Sequence, residues 1–525
     1  MIKSLLLAVT IVANSSGYYT SLANHIKRWL ASEKITSTVV LPAQMAATIE
    51  NEKTVFLVGL DSIGADQIKA LRGVKSRGGK IIAFHSSSTQ LASLMGVKLT
   101  GFKSAPSPGC WSRMDFITSR PQGFPISIRQ TSTVLNSAQP LSGGRVLASW
   151  SDRLGRPTGQ AAWIETPSGW WMTHVLTADG DERLKAQLVS AMVGVSEPSK
   201  WSISASLDRR NLKRAEFKRY ALSQKPKAGE IRAVWDHSGC GLYPGDWPRT
   251  MRFLKNAGIT DLFVNVAGAG FAHYPSAVLP KSRIYNEEGD QLKACLSAAK
   301  GTGVRVHAWI LCFTATRGMP SVLADYKAKG WSLKSTSGKD TEYLNPSKKP
   351  VRDKILKAIE EVVSRYSIDG VHLDFVRWYE GSKKPSDAAK IISDFVLAAR
   401  RKVQRPLWLT TAVLGKYPAC VASVGQDWTS WLDANYVDYV VPMDYTDNLV
   451  RFSSYLLQHA SSRSRARRTI VGIGVTANES RLDAKQVIDQ INASRKFGTA
   501  GVALFDLDAV LEKEILPYLS IGIWK

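Results

Sequence analysis

From Gly229 to the last residue, short apolar runs alternate with amphipathic segments eight times, and this repeat constrains the fold more than any other feature of the chain. The runs cover residues 231–235, 261–266, 304–311, 371–376, 407–413, 437–443, 469–475 and 502–505. Each has the length and apolar content of a strand. Helices are predicted between them, near 246–257, 291–302, 351–366, 386–403, 428–434, 449–460 and 483–497, with a last one near 509–519. In the third of these, Ile355, Ile359, Val362 and Tyr366 recur at helical spacing, which buries one stripe against a sheet. Eight strand-helix units in a row predict a (β/α)8 TIM barrel, a fold that typically takes ~250 residues.

In such a barrel, chemistry is read from the carboxyl ends of the strands and the loops after them. Asp236 follows the first strand and Asn265 lies on the second, with Tyr274 in the loop beyond. The third carries His307 and Trp309, and the sixth ends in Asp444 and Tyr445. Asp506 and Asp508 close the eighth. The fourth is the most informative: Asp369-Gly370 ends a helix, and the run that follows sets Val371, Leu373 and Phe375 against His372, Asp374 and Val376, with Arg377 next. Carboxylates, aromatic rings, an amide and imidazoles converging on one face suit a sugar polymer, whose pyranose faces stack on rings while its hydroxyls meet polar groups.

Four segments stand in order along this half: Ala272-His-Tyr-Pro-Ser276 with Pro280 and Ser282 after it, Val306-His-Ala-Trp309, Leu344-Asn-Pro346, and Asp369-Gly-Val-His-Leu-Asp374. On these blocks the chain from Gly229 onward resembles the family 10-like glycosyl hydrolases, a bacterial group with a barrel related to the amylase superfamily. The resemblance implies a glycosidase acting on bacterial cell-wall or related glycans, and it maps that family's strand-four aspartate onto Asp374. A glycan substrate in turn implies action outside the cytoplasm.

Glycoside hydrolysis needs two carboxyl groups across the scissile bond, one protonated and one ionised. Asp374 is the first candidate, as nucleophile or stabiliser, with Arg377 close enough to keep it ionised. The amylase superfamily places its acid on strand five, yet residues 407–414 contain no acid. Asp444 is therefore taken as the second catalytic carboxyl, ahead of Asp506, Asp508 and Asp236, and Asp236 and Asp506 are assigned to substrate binding. The same role is expected of Asn265, Tyr274, His307, Trp309, His372, Arg377 and Tyr445. Family 18 chitinases carry Asp-Gly-x-Asp-x-Asp-x-Glu on strand four; His372 and Val376 occupy two of those acidic positions here, which argues against chitinase chemistry. The missing strand-five acid leaves a second class open, a non-catalytic glycan-binding protein on a hydrolase-like barrel.

The first half reads differently. Residues 37–41, 54–59 and 80–85 alternate with a helix near 65–74, later strands fall near 146–150, 160–165 and 170–176, and a helix near 182–193 closes the region, as in an open α/β sheet. Residues 5–13 form either a first strand or a signal peptide. A single Lys3 makes a thin positive region, and the strand reading is preferred. The layout resembles the flavodoxin-like (Rossmann-like) and glutamine-amidotransferase-like domains often attached to bacterial glycosidases. A Gly-x-Cys-x-Gly elbow is absent, since His85-Ser86-Ser87-Ser88 follows residues 82–84, so a binding or positioning role is expected rather than catalysis. The domain plan is thus 1–196 for this α/β domain, 197–228 for a basic helical linker, and 229–525 for the barrel.

The formal charge of +25 draws anionic partners, but no finger spacing, RNP-like run or basic heptad helix accompanies it, so an anionic polymer or envelope is expected rather than nucleic acid. The five cysteines are scattered without ligand spacing, and no metal or other cofactor is expected. No apolar run reaches the ~18 to 20 residues of a transmembrane helix.

Overall fold

The computed structural model describes residues 9–106, 109–152, 155–178, 181–316 and 318–525. Residues 5–8 of the expected first strand lie outside them; Val9–Ala13 form that strand. The chain forms two compact units that divide between Arg214 and Ala215, inside the helix Ile203–Leu222.

Among the described residues the first unit has eleven strands, nine of them in one mixed sheet. Its strands are β1 (Val9–Ala13), β2 (Ser37–Val40), β3 (Thr54–Val58) and β4 (Lys80–Phe84), and then β5 (Val97–Ser104), β6 (Trp111–Phe116), β7 (Ser127–Ser132), β8 (Val134–Pro140), β9 (Arg145–Ser151), β10 (Pro157–Thr166) and β11 (Gly169–Met172). They lie in the order β2-β1-β3-β4-β11-β10-β9-β6-β7, while β5 and β8 pair separately. The first five are parallel and the rest antiparallel. Two apolar cores cover the two faces. Leu22, Ile26 and Trp29 of the helix Gly17–Ser32 and Leu188, Val189 and Met192 of the helix Glu182–Ser196 fill one, and Leu71 and Val74 of the helix Ala65–Ser76 enter the other. The α/β layout was legible from the sequence. The region 97–140 was not, because its short polar strands carry little apolar signal.

The second unit is a closed barrel. Its strands are β12 (Ile231–Asp236), β13 (Asp261–Gly268), β14 (Phe271–Ala272), β15 (Arg305–Leu311), β16 (Ser332–Lys334), β17 (Asp340–Leu344), β18 (Gly370–Asp374), β19 (Trp408–Leu414), β20 (Tyr439–Met443), β21 (Ile470–Gly474) and β22 (Gly501–Phe505). Eight of these run parallel in the order β12-β22-β21-β20-β19-β18-β15-β13, and β12 pairs with both β13 and β22 to close the ring. The short β14 folds back on β13, and β16 and β17 form a hairpin between the third and fourth barrel strands.

Apolar residues facing outward pack under the helices; Ile355, Ile359 and Val362 of the helix Lys349–Arg365 are fully buried there. The interior is a separate aromatic-rich core that includes Trp235, Phe263, Trp309, Leu311, Val441 and Ala503. Burying a side chain such as Phe263 stabilises the fold by roughly 1.5 to 3 kcal/mol. The barrel is thus a packed plug, not a pore.

Candidate active site

Asp374 is the last residue of β18. That strand starts at Gly370 because nothing larger fits: a Cβ there would lie 2.5 Å from the Trp408 carbonyl oxygen and 2.7 Å from His307 Nδ1. At the other end Phe375 adopts a left-handed conformation, with φ at 51°. Such strain in a non-glycine residue persists only where the surroundings impose it, and it gathers at functional sites. Here it turns the chain out of the strand, so that the Phe375 N–H donates to Asp374 Oδ1 at 2.5 Å. The alternation of residues 371–376 placed Phe375 with Val371 and Leu373. The turn instead leaves its ring half-buried under the Arg377 guanidinium, 4.1 Å from the ring centre.

Asp374 is 6% exposed and pairs with Arg377 at 3.5 Å. Burial raises its pKa, and Arg377, the Phe375 N–H and Trp309 oppose that rise without cancelling it. Arg377 therefore moderates the effect of burial rather than depressing the carboxyl as its charge alone predicts. Asp506, at the end of β22, is half-buried and accepts from Thr476 Oγ1 at 3.0 Å. Burial, then the charges of Asp508 and Asp236, push its pKa up to about 7 against Thr476. Tyr445 ties the two together. Burial and the charges of Asp374, Asp506 and the exposed Glu479 raise the pKa of its phenol, while Arg377 opposes them, and its ring stacks on Phe505 at 5.5 Å.

The other expected residues divide by layer. Trp309 stays in the upper interior, 5.8 Å ring to ring from the exposed His237. Asn265 lies in register with it, fully buried, and neither its amide oxygen nor its amide nitrogen has a hydrogen-bond partner among the described residues. A buried amide left open in this way marks a place where water or a ligand hydroxyl completes the bonding.

His372 lies deeper. The Trp235 indole donates to its Nε2 at 2.9 Å, so Nδ1 carries the proton and faces Thr410 Oγ1 at 2.8 Å. With Phe263 stacked at 4.2 Å and no exposure, the ring is saturated; burial and then His307 hold its pKa well below the usual range. His307 is bound by Asp261, the first residue of β13, at 2.8 Å, toward the amino end of the barrel. Burial pushes Asp261 up, yet its bonds to His307 and Arg305 hold its pKa below the ordinary value. The ring partners of His307 and His372 thus lie within the barrel core.

Three more of the expected site residues are engaged within the fold. Tyr274 is fully buried in the helix-facing core, its ring 5.9 Å from Tyr366. Asp236 accepts from the backbone N–H groups of Ser238, Gly239 and Gly241 and so shapes the loop after β12. Asp444 is fully buried and bonded through both carboxylate oxygens, at 3.0 and 2.9 Å, to His459 of the helix Leu449–His459. Removing that imidazole strands a carboxylate in an apolar layer, so His459→Ala is expected to cost about 3 kcal/mol of stability, read from urea unfolding.

Sequence reasoning missed an aromatic rim. Tyr343 of β17 and Tyr379 stack face to face at 4.3 Å with their planes 7° apart, and Phe375 lies 6.1 Å from Tyr343. Tyr343 stands on a hairpin strand and Tyr379 in the loop after β18, and no local pattern pairs them. Glu479, in the loop after β21, was also missed. Among the described residues no group of three His, Cys, Asp or Glu side chains is arranged to hold a metal, and no helix is long and apolar enough to cross a membrane.

Residues 230–391 match the family model described as Glycosyl hydrolase-like 10. That stretch contains Asp374 and Arg377 and stops short of Asp444 and Asp506. The chain is 33% identical over 141 residues to "Glycosyl hydrolase DigH" of Escherichia coli (strain K12), covering 23% of this chain and 31% of that protein. It is 26% identical over 169 residues to "Glycosyl hydrolase YngK" of Bacillus subtilis (strain 168), covering 28% and 32%. The chain thus spans about a third of the length of these curated relatives. Among solved structures it is similar to alpha-L-fucosidase isoenzyme 2 from Paenibacillus thiaminolyticus, at 12% identity and a TM-score of 0.39, covering 56% of this chain and 48% of that one.

Proposed function

We propose that the barrel hydrolyses O-glycosyl bonds of a polysaccharide of bacterial cell-wall type, with Asp506 as the general acid and Asp374 as the ionised nucleophile or base. The observation that carries this reading is the contrast between two carboxyls at one mouth. Burial raises the pKa of both; at Asp374 a neighbouring guanidinium opposes the rise, whereas at Asp506 two further carboxylates add to it. Pairs of acids whose surroundings separate their pKa values are the usual basis of acid and base roles. Asp506 replaces Asp444 as the second carboxyl because His459 already engages both oxygens of Asp444.

Trp309, Asn265 and Tyr445 supply ring and hydroxyl contacts around the reacting sugar, and the Tyr343 and Tyr379 stack supplies a platform for a neighbouring unit of the polymer. Tyr343→Ala is expected to raise KM about tenfold with kcat nearly unchanged, because a stacking platform binds ground and transition states alike. Steady-state kinetics on a soluble oligosaccharide checks this. The deciding experiment for the whole reading is release of reducing ends from a polysaccharide panel that includes peptidoglycan glycans stripped of peptide. Binding to a panel member without release would instead favour the glycan-binding reading, which the absence of an acid in Trp408–Leu414 supports.

A further inference from the structure

The first unit has a cluster of its own at the carboxyl ends of β1, β3, β4 and β11. The order β2-β1-β3-β4 reverses direction at β1, and open α/β sheets bind ligands outside the strand ends at such a reversal. His85 follows β4 with φ at 48°, a left-handed conformation in a non-glycine residue. The turn is held from several sides: Asn136 Nδ2 donates to the Ser86 carbonyl at 2.7 Å, the Ser86 hydroxyl donates to the Leu60 carbonyl, and Asp61 accepts from the N–H and hydroxyl of Ser87.

Tyr19, in the first turn of the helix Gly17–Ser32, reaches across so that its hydroxyl lies 3.1 Å from His85 Nδ1. Gly59 makes room for it. A Cβ there would lie 2.4 Å from the Tyr19 ring, and Asn14 Nδ2 pins the Gly59 carbonyl at 3.0 Å. The far nitrogen of His85, Nε2, is buried and has no partner among the described residues. His174, just after β11, sits 5.4 Å away ring to ring. Its Nδ1 lies 3.2 Å from both the Val175 carbonyl and the Ser132 hydroxyl. Phe102, 61% exposed, lies 5.7 Å from His85, and Tyr18, 57% exposed, lies beside Tyr19.

This assembly has an aim that folding alone does not explain. A strained turn presents an imidazole nitrogen that no described residue satisfies, and such strain is retained where function requires it. The charge felt by both His85 and Tyr19 is that of Asp61, and no ion pair neutralises Asp61 among the described residues. Burial lowers the pKa of His85, which favours the neutral imidazole. An anionic ligand would meet a carboxylate and an uncharged ring. Neutral donors and acceptors flanked by exposed aromatic rings fit a neutral, hydroxyl-rich ring compound instead.

We infer that His85, His174 and Tyr19, with Phe102 and Tyr18 at the rim, form a second carbohydrate site that takes a neutral hexopyranose. The inference does not depend on the reading of the barrel. It is tested on the full chain with 13C labelling at the imidazole Cε1 positions. The eight histidines give separate signals, and His85→Gln and His174→Gln assign the two in question. Titration with glucose, galactose, mannose and N-acetylglucosamine is expected to shift the His85 and His174 signals together and saturably for at least one sugar. Barrel histidines such as His237 report on the other unit in the same spectra. Tyr19→Phe, which keeps the ring and removes the hydroxyl, is expected to weaken that binding about fivefold, the effect of one neutral hydrogen bond. No response of the His85 and His174 pair to any of the four sugars at about 50 mM, a concentration that saturates millimolar sites, would overturn the inference. So would a response of that pair to inorganic phosphate alone.

Discussion

Asp374→Asn is expected to reduce polysaccharide turnover by about a thousandfold or more while leaving glycan binding within a few fold. The substitution keeps the size of the side chain and an oxygen able to accept the Phe375 N–H, so the strained turn after β18 keeps its anchor. What it removes is the charge. An oxocarbenium-like transition state needs a carboxylate to attack or stabilise it, and an amide supplies neither function. Reducing-end release and binding, measured side by side for wild type and variant, check the outcome. Lost turnover with retained binding places the ionised carboxyl at Asp374. Loss of both, with an unchanged unfolding transition, would make Asp374 a binding residue and sink its catalytic assignment.

Asp506 carries the second prediction, and its sign follows from its pKa near 7. A general acid works in its protonated form, so kcat/KM is expected to fall as pH rises through about 7. Asp506→Asn should abolish that alkaline limb and lower turnover of natural glycans about a hundredfold or more. Activated aryl glycosides should suffer less, because a good leaving group needs little protonation. Stability falls with rising pH as well. Folding raises the pKa of this carboxyl from its ordinary value of 3.8, so the folded state holds its proton where the unfolded chain has released it. The stabilising contribution is present at low pH and is lost as pH climbs through the folded value. Above that range Asp506→Asn should unfold at higher urea than wild type. An unchanged pH profile in the variant would remove Asp506 as the acid.

The eight barrel strands were legible in the sequence because each is written locally, as a short apolar run between amphipathic segments. The same local logic placed Asp374 at a strand end, where barrels do chemistry. It failed where a side chain's role depends on a partner far along the chain. Asp444 and Asp506 look alike in sequence, each one residue past the end of a strand. What separates them is His459, 15 residues downstream, which engages the first, and the carboxylates of Asp508 and Asp236, which press on the second.

His372 shows the same limit. Its alternation with Asp374 is plain in the sequence, yet its saturation comes from Trp235, 137 residues away, and from Thr410 on the neighbouring strand. The tyrosine stack of the rim joins a hairpin to the loop after β18, and the Tyr19 and His85 contact spans 66 residues. Sequence by itself determined which segments become strands and helices, and hence which ends of the strands gather at the mouth, because backbone periodicity and apolar burial act over a few residues. Tertiary structure alone decided which acids meet charge, which imidazoles are already satisfied and which are left open, because desolvation and hydrogen bonding depend on what the fold brings within a few ångströms.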